Sequence, residues 1–126
     1  MPKFAHSDLL DQGPTLIKTA CVRMQLISAY TAGDSYATVQ ANKLCEAVMV
    51  STDFALASSG ANRTLTVAAG KTSTLAVAAT GSDAHIAFTD GAARVLWVTD
   101  ETSNPTAVVG AAVTFPGPVY TTAQPV

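Results

Sequence analysis

The sequence predicts a mainly β fold, a β-sandwich or jelly roll with a short N-terminal helix and extended termini. Three observations point there. Charged residues make up only 13% of the 126-residue chain and hydrophobic ones 48%, whereas about a quarter charged is usual for soluble domains. A helical bundle needs charged outer faces, so recurrent Thr and Val with little Lys or Glu suit short strands with Thr on the wet side. Turn signals separate these short runs roughly every 8–12 residues, the rhythm of all-β sandwiches. Finally, the stretch from Asp83 to Asp100 places two β-favouring runs around Asp90-Gly91, a strong hairpin signal.

That hairpin has a testable register. With Asp90-Gly91 as a two-residue loop, Phe88 faces Ala93, Ile86 faces Val95 and Ala84 faces Trp97. Opposed residues share a face, so one side is wholly apolar. Thr89 with Ala92, Ala87 with Arg94 and His85 with Leu96 form a mixed second side. A four-residue loop keeps these faces, and a three-residue loop turns Phe88 away from Trp97. The expected core therefore centres on Trp97, Phe88, Ile86 and Val95.

The length suits one domain with a single core. Its expected parts are an arm and helical segment over 1–20, a sandwich over 21–116, and a C-terminal arm or edge strand over 117–126. Ser7 reads as an N-cap, with Asp8 in the first turn suiting the helix dipole. Leu9, Leu10, Leu16 and Ile17 fall at helical spacing, and Gly13-Pro14 interrupts them. The helix must kink there or restart at Pro14.

Cys21–Ala29 reads as a strand with Val22, Met24 and Leu26 on one face and Arg23 and Gln25 on the other. Residues Tyr30 to Asn42 form a loop with a helical turn over Tyr36–Ala41, and Lys43–Val50 is a second strand. A turn at Ser51-Thr52-Asp53 leads to a short strand over Phe54–Ala57, then an exposed loop over Ser58–Asn62. Thr64–Gly70 is echoed by Thr74–Thr80. The two copies pair only across an odd loop such as Gly70-Lys71-Thr72, or else lie in different sheets. Glu101–Pro105 is a turn-rich loop, and Thr106–Phe115 a last core strand loosened by Gly110. Pro116, Pro118 and Pro125 then bar the tail from a central sheet position.

Composition also excludes function classes. With a net charge of −2 and seven Lys and Arg spread thinly, no basic row can neutralise a run of phosphates, so nucleic acid is not expected. The opening has no apolar signal core, and no run approaches the about 20 residues that span a bilayer, so no membrane is expected. Cys21 and Cys45 are too far apart for a CxxC motif and read as two buried thiols. A bridge between them requires neighbouring strands.

No catalytic constellation emerges, and neither an enzyme nor a cofactor is expected. Gly70-Lys71-Thr72 looks like the end of a phosphate loop, but Leu65 stands where the first Gly belongs, and a strand follows rather than a helix. His6 with Asp8 and Asp11, or Asp83 with His85, lacks the convergent spacing of a metal site. Asn62-Arg63-Thr64 matches a glycosylation sequon but has no secretory signal beside it. Phe4 and Tyr120 lie in terminal segments with no obvious core of their own. They either dock on this chain's sandwich or anchor a partner. The candidate interface is Pro2, Lys3, Phe4, Pro118, Val119 and Tyr120.

Several segments resemble a family of small tailed-bacteriophage virion proteins. They are Phe4-Ala5-His6-Ser7-Asp8-Leu9-Leu10-Asp11, Leu16-Ile17-Lys18, Arg23-Met24-Gln25-Leu26-Ile27-Ser28, Ser51-Thr52-Asp53-Phe54, Ala84-His85-Ile86-Ala87 and Val95-Leu96-Trp97-Val98-Thr99. Gly13-Pro14 departs from the unbroken helix expected there. The resemblance implies a head decoration or cement protein, often jelly-roll-like, on the capsid surface of an HK97-type head assembled in the host cytoplasm. Copies, as dimers or trimers at a symmetry axis, would bridge major capsid proteins through their terminal arms. Removing residues 1–5 or 117–126 should then leave the domain folded. A tail, baseplate or fibre component, or a carbohydrate-binding sandwich, is the alternative.

Overall fold

The computed structural model describes residues 3–76, 84–100 and 109–124. The fold is mainly β, with three antiparallel sheets and few helices among the described residues. The first sheet has the order β2-β1-β6-β7, from β1 (Arg23–Ile27), β2 (Lys43–Val48), β6 (His85–Thr89) and β7 (Val95–Asp100). The second is β3-β4-β9, from β3 (Phe54–Ser59), β4 (Asn62–Val67) and β9 (Val119–Thr122). The third pairs β5 (Thr72–Thr74) with β8 (Ala112–Thr114). These orders do not display a jelly-roll interleaving, since β1 and β2, like β6 and β7, are neighbours in both sequence and space.

One core joins the three sheets. Met24, Leu26, Ile86 and Phe88 from the first meet Phe54, Leu65 and Val67 from the second, and Val113 of the third closes it with Leu75 and Phe115, which directly follow its two strands. The small sheet is tied to the edge of β2. Ser73 Oγ donates to the Glu46 carbonyl at 2.7 Å, and the Ala76 amide donates to the Leu44 carbonyl at 2.8 Å. The first repeated segment enters β4, whereas only Thr74 of the second lies in a strand, at the end of β5; residues 77–80 of that copy and the loop Glu101–Pro105 fall outside the described residues.

The N-terminal segment breaks into α1 (Ser7–Leu10) and α2 (Gln12–Ala20). Pro14 explains the break, because it offers no N–H to the Leu10 carbonyl four residues back and its ring would crowd that carbonyl. The second helix restarts at Gln12, two residues earlier than the expected Pro14, since proline is tolerated in a first turn. The cap of α1 is His6 rather than Ser7. His6 accepts the Leu9 and Leu10 amides on its carbonyl and the Asp8 amide on Nδ1 at 3.1 Å. Leu10, Pro14, Ile17 and Cys21 form the buried stripe.

The helical turn expected over Tyr36–Ala41 is present as α3, capped by Ser35. It covers the outer face of the first sheet, where Ile27, Val39 and Ala87 make a second small cluster. That cover buries Gln25, which sequence placed on an open polar face. Gln25 and Gln40 exchange side-chain hydrogen bonds at 3.0 and 2.7 Å, and Gln25 also donates to Glu46 Oε2 at 3.1 Å. Val22 lies before β1 and is part exposed, so it does not join Met24 and Leu26.

The β6–β7 hairpin forms, with a longer loop than the sequence suggested. Thr89 pairs with Val95 and Phe88 with Trp97, leaving Leu96 as an extra residue in a bulge. Phe88 and Trp97 therefore share a face, stacked at 4.7 Å and 12°. The bulge sends Val95 to the opposite face, into the cluster under α3, so it does not join Trp97 in the main core. Asp90 causes the wider turn. One carboxylate oxygen accepts the amides of Ala92, Ala93 and Arg94, and the other accepts Arg94 Nε. Gly91 is required here, since its φ is 74° and a side chain would meet Val22.

The amides of Arg94 and Ala93, with the Arg94 guanidinium, hold the Asp90 carboxyl well below the usual carboxylate range. A depressed folded-state pKa stabilises the fold above the unfolded value of about 4 and loses that contribution as pH falls toward the folded value. Asp90→Asn should therefore lower stability at pH 7 and flatten the loss below about pH 4. Urea midpoints across pH check this, and parallel curves for the two proteins would remove the carboxylate from the argument.

The tail forms an edge strand. β9 pairs with β4, with Leu65 opposite Tyr120, and the Val67 amide donates to the Pro118 carbonyl at 3.0 Å. Tyr120 packs edge-on against Trp97 at 5.4 Å. Val119–Thr122 thus takes the edge-strand alternative of the two expected for the tail, and its removal is expected to cost stability.

Candidate interaction surface at the termini

Ala5 and Gln124, near the two ends of the described residues, meet. Ala5 donates its amide to Gln124 Oε1 at 2.8 Å and accepts Gln124 Nε2 on its carbonyl at 2.9 Å. Gln124 Nε2 also donates to the Ala61 carbonyl, and the Gln124 amide donates to Asn62 Oδ1. Gln124 thus seats Ala5 beside the β3–β4 turn, where Gly60-Ala61 forms a two-residue loop tighter than the expected Ser58–Asn62 loop. Asp11 anchors the α1–α2 junction to β4 through a two-pronged pair with Arg63, at 2.8 and 3.2 Å. Arg63 Nη1 also donates to Ser58.

Of the six interface candidates, Lys3 and Phe4 are exposed, Phe4 at 78%. Val119 is exposed, while Pro118 and Tyr120 are half-buried in the β9 pairing, and Pro2 lies outside the described residues. Phe4 thus stands free beside a residue fixed on both backbone groups, whereas Tyr120 has found its partner in this chain's own core. Sequence reasoning missed Leu9 and Leu16, exposed at 66% and 45%. The signal was there, because a one-sided helix cannot bury both members of Leu9-Leu10 and Leu16-Ile17.

The other candidates resolve into structural pairs. His6 Nδ1 lies 3.6 Å from Asp8, but Asp11 is turned to Arg63, and no group of three metal-ligating side chains occurs among the described residues. His85 Nε2 lies 3.0 Å from Asp100, with the Tyr30 ring beside it, while Asp83 falls outside the described residues. Lys71 pairs with Asp53 at 2.8 Å, donates to the Val48 carbonyl and precedes a strand, so Gly70-Lys71-Thr72 is no phosphate loop. Burial pushes the Asp53 carboxyl up, but Lys71 and the Val50 amide outweigh it and leave it below its ordinary value.

Asn62 of the sequon is engaged by Gln124. Cys21 and Cys45 are buried and unbridged. Leu26 faces Cys45 while Arg23 faces Val48, which puts Cys21 beyond the far end of that strand pair. Burial raises both thiols, Cys21 to about 11, so Cys21 stays protonated at neutral pH and is no nucleophile there.

No helix among the described residues is long and apolar enough to cross a membrane. Comparison of the chain with protein-family models, with curated proteins and with solved structures finds no match.

Proposed function

We propose that this chain is a non-enzymatic structural protein of a tailed-phage virion, a decoration or cement protein on the outside of an HK97-type head. The observation that carries the reading is Phe4, a large aromatic left 78% exposed on a segment whose next residue is pinned to the body. Exposed aromatics that enter a partner's pocket supply much of an interface's binding energy. A fixed base reduces the entropy lost when such an anchor docks. The resemblance to phage virion proteins supplies the partner, the major capsid protein.

Copies of the chain, as dimers or trimers around a symmetry axis, bridge neighbouring capsid subunits. Many weak contacts repeated over the shell add up through effective concentration. The sparse charge of the chain suits such protein-to-protein packing better than a solitary existence.

Phe4→Ser is expected to leave folding intact and to lower retention on expanded heads at least tenfold. Co-sedimentation with heads stripped of their own decoration protein measures it. Equal retention of the variant and the parent protein sinks the anchor. Labelling of the protein at the tail rather than the head in particle images would replace this reading with the tail-component one.

A further inference from the structure

We propose that Gln124 is a latch and that residues 3–10 form a strap that opens from the body as one unit, hinged at Asp11. The inference rests on the attachment-arm reading and names what holds and releases the arm. The start of the strap is not held by a strand. A single carboxamide supplies Ala5 with both the acceptor and the donor that a neighbouring strand would offer one residue. That contact closes across 119 positions of chain and depends on one flexible side chain.

The inner boundary of the strap is set by Pro14, which denies Leu10 its helical hydrogen bond and leaves Asp11 as the single residue between two helices. Arg63 grips the Asp11 carboxylate, so the pivot stays fixed. A four-residue helix cannot persist alone. Leu10 is the large buried side chain of the strap, while Phe4 and Leu9 face solvent. Few buried apolar contacts and a side-chain latch define a unit that opens below the energy of global unfolding.

A second observation lies beside the latch. The Thr122 hydroxyl, two residues before Gln124, is buried with no hydrogen-bond partner among the described residues. Such a group is uncommon in folded proteins, and here it sits on the strand end that carries Gln124. In the open state Phe4 can follow a partner's surface; in the closed state it stands at one fixed point.

Amide hydrogen exchange of the full chain tests this without any capsid. Gln124→Ala should speed exchange at Ala5, Leu9 and Leu10 together by about tenfold or more, leaving Thr15, Cys21 and Leu65 unchanged. Gln124→Glu keeps an acceptor for the Ala5 amide but loses the donations to Ala5 and Ala61, so it should fall between the parent and the alanine variant. Acceleration confined to Ala5 would reduce the strap to a fraying tip. Acceleration that reaches Thr15 and Leu65 would show a global loss of stability instead. Either result overturns the latch. Retention of Phe4→Ser on heads is a separate measurement, so the two ideas fail separately.

Discussion

Phe88→Ala is expected to cost about 3–5 kcal/mol, the range for deleting a fully buried phenylalanine. Phe88 is 0% exposed and sits on β6, flanked by Met24 on β1 and Trp97 on β7. Its ring stacks on Trp97 and meets the edge of Phe54 at 6.4 Å, so it joins the first sheet to the second. Removing it leaves a void between layers that cannot close without moving both sheets, and it ends a stacking contact worth about 0.5–1.5 kcal/mol beyond area. The urea midpoint should fall with an unchanged slope, and folded-state tryptophan emission should shift as the indole loses the ring on one face. Val95→Ala is the control, because the bulge puts Val95 on the other side of the sheet. It should cost less and leave the emission alone. An emission change for Val95→Ala equal to that for Phe88→Ala would mean that Val95 shares the face of Trp97, as in the two-residue register, and a loss under about 1 kcal/mol for Phe88→Ala would mean that its ring does not join the two sheets.

That comparison marks where the sequence was legible. Features set by neighbours in the chain could be read: the mainly β class, the helical turn Tyr36–Ala41, the strand starting at Lys43, and the helix break near Pro14. Each follows from period, capping or proline geometry within a few residues. The hairpin loop was misjudged because Asp90 captures three amides at once, a side-chain effect that overrides the Asp-Gly turn preference. The one-residue slip it causes moved Val95 across the sheet.

Gln25 looked like an outward polar residue because nothing in its own strand reveals that α3 folds over it. The pinning of Ala5 by Gln124 has no local signature at all, since it joins residues 119 positions apart through a residue type common in unstructured tails. Of the candidate surface, then, Phe4 was visible as an aromatic without a local core. What fixes its position was not.

Deleting residues 117–126 is the other change with a large expected effect, and it separates a structural strand from a mobile arm. The deletion removes all four β4–β9 pairings, from Arg63 with Thr122 to Thr66 with Val119, and the bond from Val67 to Pro118. Bared on one side, β4 still carries the core residues Leu65 and Val67, whose backbone groups would then need water beside a packed interior. Trp97 loses the Tyr120 ring that covers it. Ala5 loses Gln124, and the strap with it. Full burial of a large apolar side chain contributes about 1.5–3 kcal/mol, half-buried Tyr120 on the order of half that, and each lost backbone bond about 1 kcal/mol. Against a total stability of about 5–15 kcal/mol, those losses remove a large fraction. The melting temperature should drop by more than about 10 °C, or the chain should fail to fold, whereas deletion of residues 1–4 should shift it by under about 2 °C. Thermal melts followed by circular dichroism read both. If the two truncations melt alike, β9 contributes nothing to the sheet, and the C-terminus returns to being an arm available to a partner.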